Sequence, residues 1–262
     1  MSPVIVYNIF AFIYGAVVGS FLNVCICRLP ENRSVVSPPS SCPLCGYRIK
    51  WYDNIPIVSY ILLGGKCRSC KARISMRYPL VEIINGLLTL MLFIKFGPTL
   101  SFLALFILCS SLVVITFIDF DHQIIPDVIS LPGIAVGFAF SFFLPWLGWK
   151  DSLIGLLAGG GSLLLVAYGY QLLTGKDGMG GGDVKLLAML GAFLGWRSIL
   201  FIIFSASLVG SVIGVGLMIA RGRDSKLPIP FGPFLALGAI LYIFYGSRII
   251  DWYLGLSRLG GQ

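Results

Sequence analysis

Two stretches of the chain place carboxylates where an apolar sequence has least use for charge. IDFDHQIIPD, residues 118–127, carries Asp119, Asp121 and Asp127, and GKDGMGGGD, residues 175–183, carries Asp177 and Asp183. An acid at or inside a membrane segment costs free energy, so it either points at water or is kept for chemistry. Two carboxylates brought together from separate segments can share one proton. The like charge raises one pKa, which leaves one group as the ionised base and the other as the acid. Such a pair activates water against a peptide bond and needs neither a metal nor a nucleophilic Ser or Cys. The sequence has no convincing G-x-S-x-G or H-E-x-x-H element, and His122 is its single histidine, so a His-based triad has little support. Helix capping is the competing role for Asp127, which follows Pro126, and for Asp183. A bare cap has no need of Gly180, Gly181 and Gly182 in front of Asp183; they allow close backbone approach and positive φ at membrane depth. The acids Asp53, Glu82, Asp151, Asp224 and Asp251 sit in ordinary places for solvated charge.

A second chemistry is carried by sulfur. CPLCG and CRSC place Cys42, Cys45, Cys67 and Cys70 as two C-x-x-C pairs. Two thiolates three residues apart reach one ion from a tight turn, and two such turns complete a tetrahedral site. With four protein ligands no coordination position is open, so the expected zinc is structural. It compensates for a loop of about 50 residues with too little apolar content to fold on its own core. Two disulfides are the competing reading, disfavoured if the loop faces a reducing cytoplasm. Cys25, Cys27 and Cys109 fall in apolar spans and are expected to be packing residues.

The elements that must position these groups follow from composition. With 57% apolar residues, 11% charged residues and a mean hydropathy of +0.93, the 262-residue chain lies far outside the soluble range. Its apolar runs are continuous rather than alternating, which predicts helices and not a barrel. Spans are expected near residues 4–27, 79–96, 100–120, 129–147, 152–173, 184–196, 198–220 and 231–250, the sixth being short for a crossing. The fold class is thus an all-α polytopic membrane protein with about eight transmembrane helices and a small zinc-binding loop domain. The first run lacks a basic n-region and a small-residue cleavage site, so it is expected to stay as an anchor. Three segments result: a first helix over 1–27, a basic four-cysteine domain over 28–78, and a membrane domain over 79–262.

Charge sets the expected orientation. Nine basic residues against Glu31 and Asp53 fall between Arg28 and Tyr78, which is +7 of the net +8. Basic loops stay in the cytoplasm, and alternating spans then leave fourteen of the nineteen Lys and Arg inside and the N-terminus outside. All five aspartates of the two opening stretches land at cytoplasmic span ends, although the charge count never used them. The basic loop is a topology signal that also meets anionic lipid. Nucleic acid is not expected as a partner, because no aromatic-basic stripe accompanies the charge.

GSFLNVCICRLP at 19–30, the paired C-x-x-C loop, ISMRYPLVE at 74–82, IDFDHQIIPD at 118–127, DGMGGGDVKLLAMLGAFLG ending at Gly195, and IPFGPFLALGA at 229–239 together resemble the type IV prepilin peptidases. The resemblance runs over nearly the whole chain in the family's order. Its G-x-G-D element is met by Gly180, Gly182 and Asp183. What it implies is an aspartyl protease of the bacterial inner membrane with Asp119 and Asp183 as catalytic pair, Asp121 being the residue most easily confused with Asp119. It also implies removal of the short basic leader of type IV prepilins or type II secretion pseudopilins on the cytoplasmic side. Methylation of the new N-terminal residue by S-adenosylmethionine follows; no G-x-G-x-x-G unit of the Rossmann kind marks where that cosubstrate binds. Two other readings are a G-x-G-D protease without methylase activity, which the paired C-x-x-C loop argues against, and a transporter or scaffold with a zinc knuckle and an aspartate-lined ion path.

Overall fold

The structure, a computed structural model, describes residues 2–175, 180–221 and 230–259; Asp177 and Asp224 lie outside them. Among the described residues the ordered elements are helical, apart from two isolated β-bridges. They are α1 (Pro3–Arg28), a 3₁₀ turn (Trp51–Asn54), α2 (Val58–Leu62), α3 (Arg77–Phe96), α4 (Leu100–His122), α5 (Asp127–Phe140), α6 (Trp149–Thr174), α7 (Gly181–Leu194), α8 (Trp196–Arg221) and α9 (Gly232–Leu259). Each expected span coincides with a helix. Among the described residues, five of them, α1, α3, α4, α6 and α8, are long and apolar enough to cross a membrane. At 14 residues α5 reaches about 21 Å, short of the roughly 30 Å of hydrocarbon, and α7 is no longer. The run expected over 129–147 stops at Phe140, where the amide of Ser141 bonds back to Gly137 and Phe138 and tightens the turn before Pro145.

The chain divides into two compact units, Met1–His122 and Gln123–Gln262. In the first, α1 packs along α3 through small residues. A side chain at Gly15 would run into Thr89, and one at Gly19 would lie 2.8 Å from Cα of Glu82. Lipid supplies no hydrophobic drive for helices to pair, so close backbone contact and buried hydrogen bonds hold them. Asn85 provides the bonds: its Nδ2 donates to Gly15 O at 2.7 Å, and its Oδ1 accepts from Ser110 Oγ of α4 at 3.1 Å.

In the second unit α7 is the core. Leu186 to Leu194 are all buried, and the helices against them carry G-x-x-x-G pairs. On α5, side chains at Gly133 and Gly137 would collide with Met189 and Phe193. On α6, a Cβ at Gly155 would sit 2.4 Å from Gly191 O, and one at Gly159 would sit 2.5 Å from Leu187 O. Ser152 adds a hydrogen bond to Ala192 O at 2.6 Å. A short helix that spans poorly alone is thereby wrapped on two sides, and it is the helix that carries Asp183.

Candidate active site and metal centre

The four cysteines come together as the sequence predicts. Their sulfurs all lie within 4.8 Å of one another, with Cys42 Sγ 3.8 Å from Cys70 Sγ and Cys45 Sγ 3.9 Å from Cys67 Sγ. A tetrahedron with metal–sulfur bonds of about 2.3 Å has edges of about 3.8 Å, so the donor set fits one tetrahedral ion. All four thiols are free, which leaves the disulfide reading without support.

The geometry comes from a local repeat that is easily overlooked in the sequence. Cys42 N–H bonds to Tyr47 O and Gly46 N–H returns to Cys42 O; in the second half Cys67 N–H bonds to Ala72 O and Lys71 N–H to Cys67 O. Each half closes with an antiparallel bridge, Ser41 to Arg48 and Lys66 to Arg73. Gly46 and Lys71, both four residues after the first cysteine of their half, share a positive φ of 68° and 59°. The signal was present as C-x-x-C-x-x-R-I in both halves. Backbone amides of Cys45 and Leu44 bond the Cys42 sulfur and hold its thiol down at about 6. At Cys70 the amide of Ala72 acts in the same direction, but lost solvation and bonds to the Cys45, Cys67 and Cys42 sulfurs prevail and push it up to about 11.

Asp53, expected to be solvated, is instead gripped by Arg68, whose Nε lies 2.9 Å from both carboxylate oxygens. That hydrogen bond holds the Asp53 carboxyl below, and the Arg68 guanidinium above, their ordinary values. Glu82 is a larger departure. It is 7% exposed, and its Oε2 accepts the Ile57 N–H at 2.8 Å. Ile57 has φ 61° at the entry to α2, and the carboxylate ties down this strained turn. Sequence position suggested a solvated first-turn acid; only the close packing of α1 on α3 takes it out of water.

The aspartates separate by surroundings. Asp119 is 5% exposed in the last turn of α4. Asp121, two residues on, points to another side of the helix and pairs with Arg77 at the start of α3. The helix stops at His122 because Gln123 adopts a positive φ of 54°. Asp127 is not an N-cap: Pro126 holds that position, and Asp127 in the first turn of α5 accepts Lys185 Nζ at 2.7 and 2.8 Å. Asp183 is not the cap of α7 either, since Gly180 is, with φ −70°. Asp183 stands in the first turn, where the helix dipole favours a negative charge. None of Gly180, Gly181 and Gly182 has a positive φ, and close approach is met at Gly182 alone. A Cβ on Gly182 would lie 2.9 Å from Cβ of Ile125, whereas one on Gly181 would meet nothing within 4 Å.

A concavity of about 560 Å³ in the basic loop is lined by Tyr47, Arg48, Ile49, Lys50, Trp51 and Tyr52. Arg48 and Lys50 line it and no carboxylate does, a lining unsuited to the ribose hydroxyls, ammonium and sulfonium of S-adenosylmethionine. It does not fit that cosubstrate.

Membrane-crossing helices, a four-thiol knuckle between the first two of them, and carboxylates at helix ends define a polytopic membrane protein with an aspartate-bearing helical core. Residues 13–96 match the Bacterial Peptidase A24 N-terminal domain, and residues 106–215 match the Type IV leader peptidase family. A prepilin leader peptidase/N-methyltransferase of Aeromonas salmonicida is 38% identical, with 95% of this chain and 94% of the relative covered. One of Pseudomonas aeruginosa is 41% identical over 82% of each. One of Myxococcus xanthus is 42% identical over 83% of this chain and 65% of that longer protein. The chain belongs to the type IV leader peptidase family. No solved structure gives a significant match.

Proposed function

We propose that the chain removes the leader peptide of type IV prepilins or type II secretion pseudopilins by aspartyl chemistry and then methylates the new N-terminus with S-adenosylmethionine. The observation that carries this reading is membership of the family, together with relatives of that name over most of the chain. In the proposed reaction the ionised member of the pair Asp119 and Asp183 takes a proton from water as it attacks the scissile carbonyl. The protonated member gives its proton to the leaving amide nitrogen. The burial of Asp119 near the end of α4 and the place of Asp183 in the first turn of α7, where the helix dipole favours negative charge, support different roles for the two carboxyls. Gly180 and Gly182 are the supporting residues, the second by admitting Ile125 close to the α7 backbone. Methyl transfer is assigned to no described residue.

Cys42, Cys45, Cys67 and Cys70 hold one structural zinc in this reading, supported by sulfur separations of 3.8 and 3.9 Å. The protein sits in the inner membrane with its N-terminus outside and the knuckle and both aspartates on the cytoplasmic side, supported by the +7 charge of residues 28–78. Reporter fusions at residues 60 and 97 test this: a cytoplasmic signal at 60 and an external one at 97 are expected.

The deciding experiment mixes the purified full-length protein in detergent with S-adenosylmethionine and a purified type IV prepilin of Pseudomonas aeruginosa and reads the product mass. Loss of the leader followed by a gain of one methyl group is expected. An uncut prepilin under conditions where the Pseudomonas aeruginosa relative cuts would overturn the reading in favour of a scaffold or transporter.

A further inference from the structure

Arg77, the first residue of α3, contacts two other helices at once. Its Nη1 pairs with Oδ2 of Asp121 on α4, and its Nη2 donates to Sγ of Cys27 on α1 at 3.3 Å. Cys27 Sγ also lies 3.8 Å from the hydroxyl of Tyr78, and Asn23 of α1 donates to Tyr78 O at 3.0 Å. The ends of α1, α3 and α4 are thus joined at one guanidinium. Asp121 is the second-last residue of α4, and helix ends fray because their last carbonyls have no intrahelical partner. An anchor there decides how the last turn is rotated.

We propose that Arg77 is a positioning residue for leader cleavage: by gripping Asp121 it sets the rotation of the last turn of α4 and therefore the direction in which Asp119 points. Residues two apart on an α-helix stand about 200° round the axis from one another. With Asp121 held against α3, Asp119 is turned to a different face of α4 and cannot exchange places with it. The ion pair is part-exposed, at 28% for Arg77 and 42% for Asp121, so it adds little to stability, and its value lies in geometry. A lysine would keep the charge, but one ammonium lacks the fork that meets a carboxylate and a sulfur on separate helices. The inference rests on the reading of Asp119 as a catalytic carboxylate.

The test measures kcat and KM for leader removal from the same prepilin with full-length Arg77→Gln, Arg77→Lys, Asp121→Asn and the Arg77→Gln, Asp121→Asn double variant. Arg77→Gln and Asp121→Asn should each lower kcat about 10- to 100-fold with KM within about twofold, the scale expected when a reacting group is displaced by about 1 Å. The double variant should be no worse than the poorer single one, because both remove one contact. Arg77→Lys should fall between wild type and Arg77→Gln. A kcat for Arg77→Gln within about twofold of wild type, losses that multiply in the double variant, or a change confined to KM would each overturn the proposal. If Arg77→Gln does not fold, Asp121→Asn decides by the same criteria. Asp119→Asn separates the two readings: activity in that variant removes the premise, whereas an inactive Asp119→Asn beside a fully active Arg77→Gln removes only the role of Arg77.

Discussion

Glu82 in the second turn of α3 accepts the backbone N–H of Ile57 at 2.8 Å, so a buried carboxylate of a membrane helix holds the strained turn that leads out of the cysteine loop. Replacing it with Ala removes the acceptor of a part-buried N–H, at a cost of about 0.5–1.5 kcal/mol. Faster amide exchange over residues 55–62 in Glu82→Ala is the expected outcome, while Glu82→Gln, which keeps an acceptor oxygen, should exchange more slowly. Equal protection in Glu82→Ala and wild type would show that the bond does not hold the turn.

The metal centre makes its own prediction. One zinc per chain is expected by metal analysis, and the Cys42→Ser, Cys67→Ser double variant should lose it, because each half of the repeat then offers a single sulfur. Cys109→Ser, buried inside α4, should leave the stoichiometry unchanged. Chelation of the wild type should make residues 41–74 sensitive to protease, since the loop has little apolar core apart from the ion.

For the aspartates, Asp119→Asn and Asp183→Asn should each abolish leader cleavage, because members of one acid–base unit each cost nearly the whole rate. A pilin supplied already cleaved should still be methylated by Asp183→Asn, which shows that the variant is folded. Near wild-type cleavage by Asp183→Asn would falsify the assignment and leave Asp183 a first-turn charge with a structural role only.

The glycine run offers a comparison between neighbours. Gly182→Ala forces Ile125 to move, since the new Cβ would lie 2.9 Å from it, and overpacking of this kind costs about 1–3 kcal/mol. Gly181→Ala meets nothing within 4 Å and places a better helix former in the first turn of α7. Leader cleavage should fall in Gly182→Ala and persist in Gly181→Ala. Equal activities would mean that the α7 backbone has room to shift.

The sequence by itself determined the class of the molecule and its reactive inventory. Continuous apolar runs can only be helices, because lipid offers no partner for an unpaired backbone group, so every expected span meets a helix. The two C-x-x-C pairs were legible because a turn brings residues three apart together by local geometry alone. The carboxylates of IDFDHQIIPD and GKDGMGGGD stood out because charge beside an apolar run is costly. What sequence could not tell is which side of each helix meets which neighbour. Only the tertiary structure buried Glu82, gave Asp121 to Arg77 and Asp127 to Lys185, and set Gly155 and Gly159 against the backbone of α7. The physical reason is the solvent. In water, apolar periodicity marks the face of a helix that turns inward, but in lipid both faces are equally greasy. Helix rotation is then decided by close backbone approach and a few polar contacts between residues far apart in the chain.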